Sequence, residues 1–388
     1  MQAGIKSYLI TFFVFLSFLF VLFGYLPVVI NNSGLYDFFR TVNYVLFSFL
    51  LILLAKFGQI FHSRVLFTYF MVLFIFLLET LIFISFDLIT GAEDLLEISI
   101  PFAAILIGYN INFSVPWYHK LLRIYCISAL VLGLYSVVYY IGSFTILDRY
   151  LVEHKNSLGA ILSNSAAILL CMVFVKDIGK FRKIRLISYC VLFFVCILVL
   201  RARSAFVALF VFIVIITWVT LKMRYKYVIA WILCVGVIIM FLLPELTFPT
   251  FLQNFFFGGK DITDLNMISS GRIERNIVAL EQIADYPLFG QLSSQASLEM
   301  VHNYFLLKVS QYGIVGSFPL IFLYMFLFWT VIVRILNIRE VKTENFGYLV
   351  MIVPFTISLL EPSFPYGPGS VQVLIYFMFG YSLQHSET

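Results

Sequence analysis

Charge is scarce in this sequence. Only 12% of its 388 residues are Asp, Glu, Lys or Arg, and 62% are hydrophobic. A soluble domain carries about a quarter charged residues. A water-soluble core of this length could not bury so much apolar surface, so the expected solvent is largely lipid and the expected fold is bundled transmembrane helices. Strict polar–apolar alternation is also missing. Long unbroken apolar runs replace it, which disfavours an outer-membrane barrel. Cysteine is sparse: Cys126, Cys171, Cys190, Cys196 and Cys234 all sit in apolar runs. They show neither metal spacing nor a disulfide framework. The sequence lacks a phosphate-binding glycine loop, a dinucleotide fingerprint, a D-x-D pair and an H-E-x-x-H motif, so no cofactor and no metal is expected. The net charge of +5 calls for no nucleic-acid partner, because the charge is distributed by side of the membrane. No cleavable signal peptide is expected, since the first apolar run is long enough to span.

What is present is a series of apolar runs of about 20 residues, the length that crosses a bilayer. Twelve spans are predicted, near 8–30, 41–57, 65–89, 95–111, 119–142, 157–175, 184–200, 204–221, 226–243, 312–334, 346–360 and 370–384. Lysine and arginine placement orients them. With the N-terminus in the cytoplasm, sixteen of the 25 basic residues fall inside, while fifteen of the 20 acidic residues fall outside. The expected fold is an all-α integral membrane protein, N-in and C-in. Spans one to nine occupy 1–243, a large extracytoplasmic loop occupies 244–311, and spans ten to twelve occupy 312–388.

Two arginines interrupt the stretch "LVLRARSAFVAL", residues 198–209. One helix from 186 to 221 would be about 54 Å long, against a hydrocarbon core of about 30 Å. The run therefore folds back as two spans, with an outward turn at 201–204. Arg201 and Arg203 lie on the side that arginine normally avoids. Snorkelling to headgroups is one reading of them, and anion binding is the other.

Three further features fall on the same side. In "SSGRIERNIVALEQIADYPLFGQ" (269–291), Ile273, Ile277, Leu280 and Ala284 recur at helical spacing,. They predict an amphipathic helix over 271–285, capped by Ser270 and lying against the outer face of the bundle. Arg272 and Arg275 fall in its first turn, where cations oppose the helix dipole. An anion there would satisfy both the arginines and the free amides. In "VHNYFLLKVSQYGIVG" (301–316), His302 stands where the loop returns to the membrane. It is either an interfacial anchor or a general base. In "RYLVEHKNSLGAILSN" (149–164), His154, Lys155 and Asn156 cluster at the start of the sixth span. Glu361 ends a span ahead of a turn rich in proline and glycine. Glu79 lies within a span, where an ionisable group is a functional candidate by default.

The polar groups gather at the outer surface, not in a midplane cavity of broken helices, which speaks against a secondary transporter. Outside a bacterial inner membrane there is no ATP, so an enzyme there needs a donor that carries its own activation energy. A lipid diphosphate sugar fits, because arginine binds such anions bidentately.

Four segments, "LRARSAFVALFV", "SGRIERNIVALEQIADYPLFGQ", "VHNYFLLKVSQYGIVG" and "HKNSLGAILSN", together resemble motifs of the O-antigen polymerase and ligase superfamily in order, spacing and side of the membrane. The resemblance implies a metal-independent, inverting, membrane-embedded (GT-C-like) glycosyltransferase whose donor is a glycan on undecaprenyl diphosphate. It implies that Arg203 and Arg272 hold the diphosphate, with Arg201 and Arg275 as helpers, and that His302 takes the proton from the acceptor hydroxyl. His154, Lys155, Asn156, Asn303 and Glu361 complete the expected glycan and diphosphate site. The activity expected first is polymerisation of lipid-linked repeat units of O-antigen or capsule at the periplasmic face of the inner membrane, with a chain-length regulator as a possible partner. Ligation of glycan to lipid A-core is the alternative within the superfamily. A flippase is the alternative from another class.

Overall fold

The structure, a computed structural model, describes residues 2–54, 56–111, 113–140, 155–175, 178–221, 271–290, 301–361 and 371–387. The expected span 226–243, most of the large loop, His154, Ser270 and Cys234 lie outside the described residues.

Among the described residues all regular structure is helical. The helices are α1 (Gln2–Gly24), α2 (Ser33–Leu54), α3 (Arg64–Asn110), α4 (Val115–Tyr140), α5 (Lys155–Phe174), α6 (Lys180–Val199) and α7 (Arg203–Thr220). There follow α8 (Arg272–Asp285), α9 (Tyr304–Asn337), α10 (Phe346–Val350), α11 (Ile352–Ser358) and α12 (Val373–Glu387). Among the described residues, six segments are long and apolar enough to cross a membrane: Ser33–Leu54, Arg64–Leu81, Val115–Tyr140, Lys155–Phe174, Arg203–Thr220 and Tyr304–Asn337. Two shorter apolar stretches, Ile10–Gly24 and Ile98–Asn110, accompany them. The chain is a multi-pass helical membrane protein.

Two of these helices are bent double. In α3 the Tyr69 hydroxyl donates to the Ile98 carbonyl at 3.0 Å, 29 residues on. A straight helix would separate these residues by about 44 Å, so α3 consists of two legs side by side, as the two apolar runs 65–89 and 95–111 predict. In α9 the rings of Phe305 and Tyr324 meet at 4.7 Å, where a straight helix would hold the residues about 28 Å apart. The bend falls at Gly313, whose φ of 66° and ψ of −175° leave the helical region. A short leg, 304–312, thus returns along the first part of the long leg, 314–337. The sequence places this tenth span at 312–334 without the short leg, which has too few residues to register as a span.

Lipid offers helices little hydrophobic reason to associate, so close fit must hold them together. The tightest fit joins α12 to α3 and α10. A Cβ on Gly380 would land on the Ile105 carbonyl, one on Gly108 on the Phe377 carbonyl, and one on Gly347 on the Met378 carbonyl. Helix α5 is buried along most of its length, from Leu158 to Met172, with α4, α6, α7, α10 and α11 around it. Among its buried polar side chains, Ser165 donates to the Ile161 carbonyl and Asn164 Nδ2 donates to Gln372 Oε1 at 2.7 Å.

Candidate active site

The turn between α6 and α7 forms at 200–202 and carries Arg201, with Arg203 just beyond it. Ala202 N–H donates to the Ile197 carbonyl and Arg201 N–H to the Leu198 carbonyl. This is the paired closure of a helix C-terminus that places a left-handed residue just past the cap, usually glycine. Here that residue is Arg201, with φ 55°, the one non-glycine positive φ among the described residues. Ala202 and Ala205 are fully buried, and Ser204 nearly so. Gly159 of α5 lets them in, since a Cβ there would collide with the Ala202 methyl. Lys155 and Asn156 precede Gly159 by one helical turn on α5, and Arg201 and Arg203 flank Ala202 in sequence. The two sequence motifs thus meet where Gly159 packs on Ala202 and Ala205.

A polar cluster comes from α8, the start of α9 and the end of α11. The last carbonyls of a helix lack intrahelical partners. At the end of α11 they are taken by side chains: Leu359 O accepts from Asn303 Nδ2 at 3.2 Å, and Leu360 O accepts from Arg272 Nη1 at 2.9 Å. Asn303 also caps α9, accepting from Leu306 N–H at 3.1 Å. Its amide thus ties the start of α9 to the end of α11 and fixes its neighbour His302. Glu361, with only 4% of its side chain exposed, meets Arg272 Nη2 through Oε1 at 3.2 Å and His302 Nδ1 through Oε2 at 3.4 Å. Arg275 Nη1 reaches His302 Nε2 at 3.3 Å. Arg272, Arg275, His302 and Glu361 form one continuous chain of contacts. Helix α11, which leads into Glu361, packs against both α5 and α7.

Helix α8 runs from Arg272 to Asp285, close to the predicted 271–285, with Gly271 at the N-cap in a left-handed conformation (φ 78°) and no side-chain cap. Gly271 therefore takes the place expected of Ser270. The packing face is polar as well as small. Ala279 is fully buried, while Ile273, Ile277 and Leu280 are 40–54% exposed. The face carrying Arg272, Arg275, Asn276 and Ala279 turns inward, because the arginines must reach Glu361 and His302. The apolar stripe is left facing outward, where a membrane interface would receive it.

After α8, the segment 287–290 docks on the bend of α9. Pro287 and Leu288 carbonyls accept from Ile314 and Val315 N–H at 2.9 and 3.0 Å, capping the long leg. The bend admits no side chain: a Cβ on Gly313 would strike the Leu288 backbone, and one on Gly290 the Gln311 carbonyl. The sequence motifs "PLFG" and "YGIVG" are thus two halves of one joint, which anchors α8 beside the start of α9. Beyond the joint lies an open apolar groove of 590 Å³ between α3 and the long leg of α9, lined by Phe67, Met71, Ile75 and Phe318, with Glu79 on its wall.

The site joins two guanidinium groups, an imidazole and a buried carboxylate at the end of a membrane helix bundle. That defines a class: a multi-pass membrane protein with a cluster of arginines, a histidine and a buried carboxylate where its helices end. Residues 188–321 match the family model described as O-antigen ligase, which supports the resemblance to the O-antigen polymerase and ligase superfamily. The matched part holds Arg201, Arg203, Arg272, Arg275 and His302 and stops short of Glu361. No curated protein matches the chain. Family members are glycosyltransferase-like enzymes.

The sequence singles out Arg272, Arg275, His302 and Glu361 separately. Their union is not legible there, because no spacing rule links a histidine to a carboxylate 59 residues away. The left-handed Arg201 is equally silent in sequence, since backbone conformation appears only in coordinates.

Proposed function

We propose that this protein polymerises undecaprenyl-diphosphate-linked oligosaccharide repeat units, of O-antigen or capsule type, at the outer face of a bacterial inner membrane. The observation that carries the proposal is the Arg272–Glu361–His302–Arg275 cluster inside a chain with the O-antigen ligase match. The proposal includes twelve spans, N-in and C-in, with the cluster and the turn that carries Arg201 on the periplasmic side. Arg272 and Arg203, helped by Arg275 and Arg201, hold the donor diphosphate, where their charge stabilises the leaving group as it departs. Lys155, Asn156 and His154 extend that anion site.

The acceptor hydroxyl attacks C1 of the donor sugar from the face opposite the diphosphate. The new C1–O bond forms as the C1–O–P bond breaks, and that electron pair leaves with undecaprenyl diphosphate. The hydroxyl proton passes to His302 Nε2. Configuration inverts at C1, and no metal takes part. A chain-length regulator is the partner proposed for such a polymerase.

The description of the matched model as O-antigen ligase supports a second reading, transfer of finished glycan to lipid A-core. Deleting the gene and separating the surface glycan on a gel decides between them. A single repeat on core is the expected polymerase defect. Free lipid-linked polymer beside bare core identifies a ligase. In the polymerase case, His302→Ala restored to the deletion strain is expected to accumulate in the membrane without elongating chains, and Arg203→Lys, which keeps charge but loses the bidentate fork, is expected to elongate poorly. Full-length polymer from His302→Ala defeats the base role.

A further inference from the structure

From the contacts of its two oxygens we infer that Glu361 is the positioning residue of the site: it fixes the proton of His302 on Nδ1 and leaves Nε2 bare as the base. The inference rests on the reading of His302 as the base, but its central observable does not depend on what the protein transfers.

The assignment follows from donor and acceptor chemistry. An arginine guanidinium can only donate, and an ionised carboxylate can only accept. Arg275 Nη1 lies 3.3 Å from His302 Nε2, and Glu361 Oε2 lies 3.4 Å from His302 Nδ1. Both contacts are made together only by a neutral imidazole with its proton on Nδ1 and its lone pair on Nε2. Both are long, as is common for catalytic hydrogen bonds before substrate binds. Glu361 is itself held on its other side, with Oε1 against Arg272 Nη2 at 3.2 Å. Arg272 is held in turn by the Leu360 carbonyl. The carboxylate therefore cannot rotate freely, and the imidazole inherits its orientation. Arg275 must yield Nε2 before an acceptor hydroxyl can use it, and a diphosphate is the kind of anion that would draw Arg275 away.

Because Oε1 is claimed by Arg272, the amide variant Glu361→Gln has a definite consequence. Arg272 donates to the amide oxygen, so the amide nitrogen must face His302. An NH₂ group forces Nδ1 to accept, and the imidazole proton moves to Nε2. The near-isosteric change thus puts the proton on the nitrogen that should receive one. Amide replacement of a buried carboxylate in this relation to a catalytic histidine costs on the order of 10⁴ in kcat. Glu361→Ala removes the carboxylate without imposing the wrong tautomer. A purely structural role predicts the reverse order, with glutamine the milder change.

The test is nitrogen-15 NMR of histidine-labelled full-length protein in lipid bilayers, at a pH where the imidazole is neutral, with the His302 signal identified by its loss in His302→Gln. The expected result is a proton on Nδ1 in the wild type and on Nε2 in Glu361→Gln. Elongation by Glu361→Gln is expected roughly 10³- to 10⁴-fold below wild type, and no higher than that of Glu361→Ala. A wild-type protein with the proton on Nε2 overturns the inference, as does a glutamine variant clearly more active than the alanine one. If the tautomers are as expected but the wild type transfers no glycan, the proposed function falls while the pairing of Glu361 with His302 stands.

Discussion

Arg201 carries the clearest conflict between stability and use in this molecule. It occupies the left-handed position that closes α6, where an L-residue with a Cβ is strained by roughly 1–2 kcal/mol and glycine is not. Arg201→Gly should therefore raise the melting temperature of the purified protein, by the equivalent of about 1 kcal/mol, and should lower elongation. If the variant is stabilised and fully active, the side chain serves only as a headgroup anchor. At this scale the sequence exposes which charged residues stand where charge is unfavourable. Arg201, Arg203, Arg272, Arg275 and His302 are singled out on that ground, and the fold brings Arg272, Arg275 and His302 together. The task of Glu361 is not legible, because its meaning depends on two partners that the fold delivers to it, Arg272 and His302.

The element that most depends on exact packing is the bent helix α9. The joint between the bend and 287–290 holds α8 beside the start of α9, and so holds the arginines beside His302. Gly313→Ala would strain a backbone at φ 66° and drive a methyl into the Leu288 backbone. It should lower thermal stability by more than the 1–2 kcal/mol of left-handed strain alone and should impair elongation. A variant with unchanged stability and activity would show that the joint is not what sets the site. A parallel test lies at the α3–α12 contact, where Gly380→Leu should prevent accumulation of folded protein, because the side chain would displace the Ile105 backbone. A normal yield of monodisperse protein from that variant contradicts the close-packing account. Helix positions were legible because each long apolar run must span or be buried. The short leg of α9 was not, since 304–312 is too brief for a span and its return depends on the docking of 287–290. The facing of α8 is not legible either, because it depends on Glu361 and His302, toward which Arg272 and Arg275 turn.

At the scale of the whole molecule, the chain is a helical membrane bundle with a polar cluster where α8, α9 and α11 converge, and a close contact of α5 with the turn that carries Arg201. Helix α11 links them, packing on α5 and α7 and leading into Glu361. The central claim is that this site transfers a lipid-diphosphate glycan with His302 as base. It is tested most directly by purified protein in liposomes supplied with undecaprenyl-diphosphate-linked repeat units and a metal chelator. The account predicts a ladder of lengthening lipid-linked glycan with release of undecaprenyl diphosphate from the wild type, and neither from folded His302→Ala. A ladder of equal length from His302→Ala, or one from the wild type that appears only when divalent metal is restored, would contradict it.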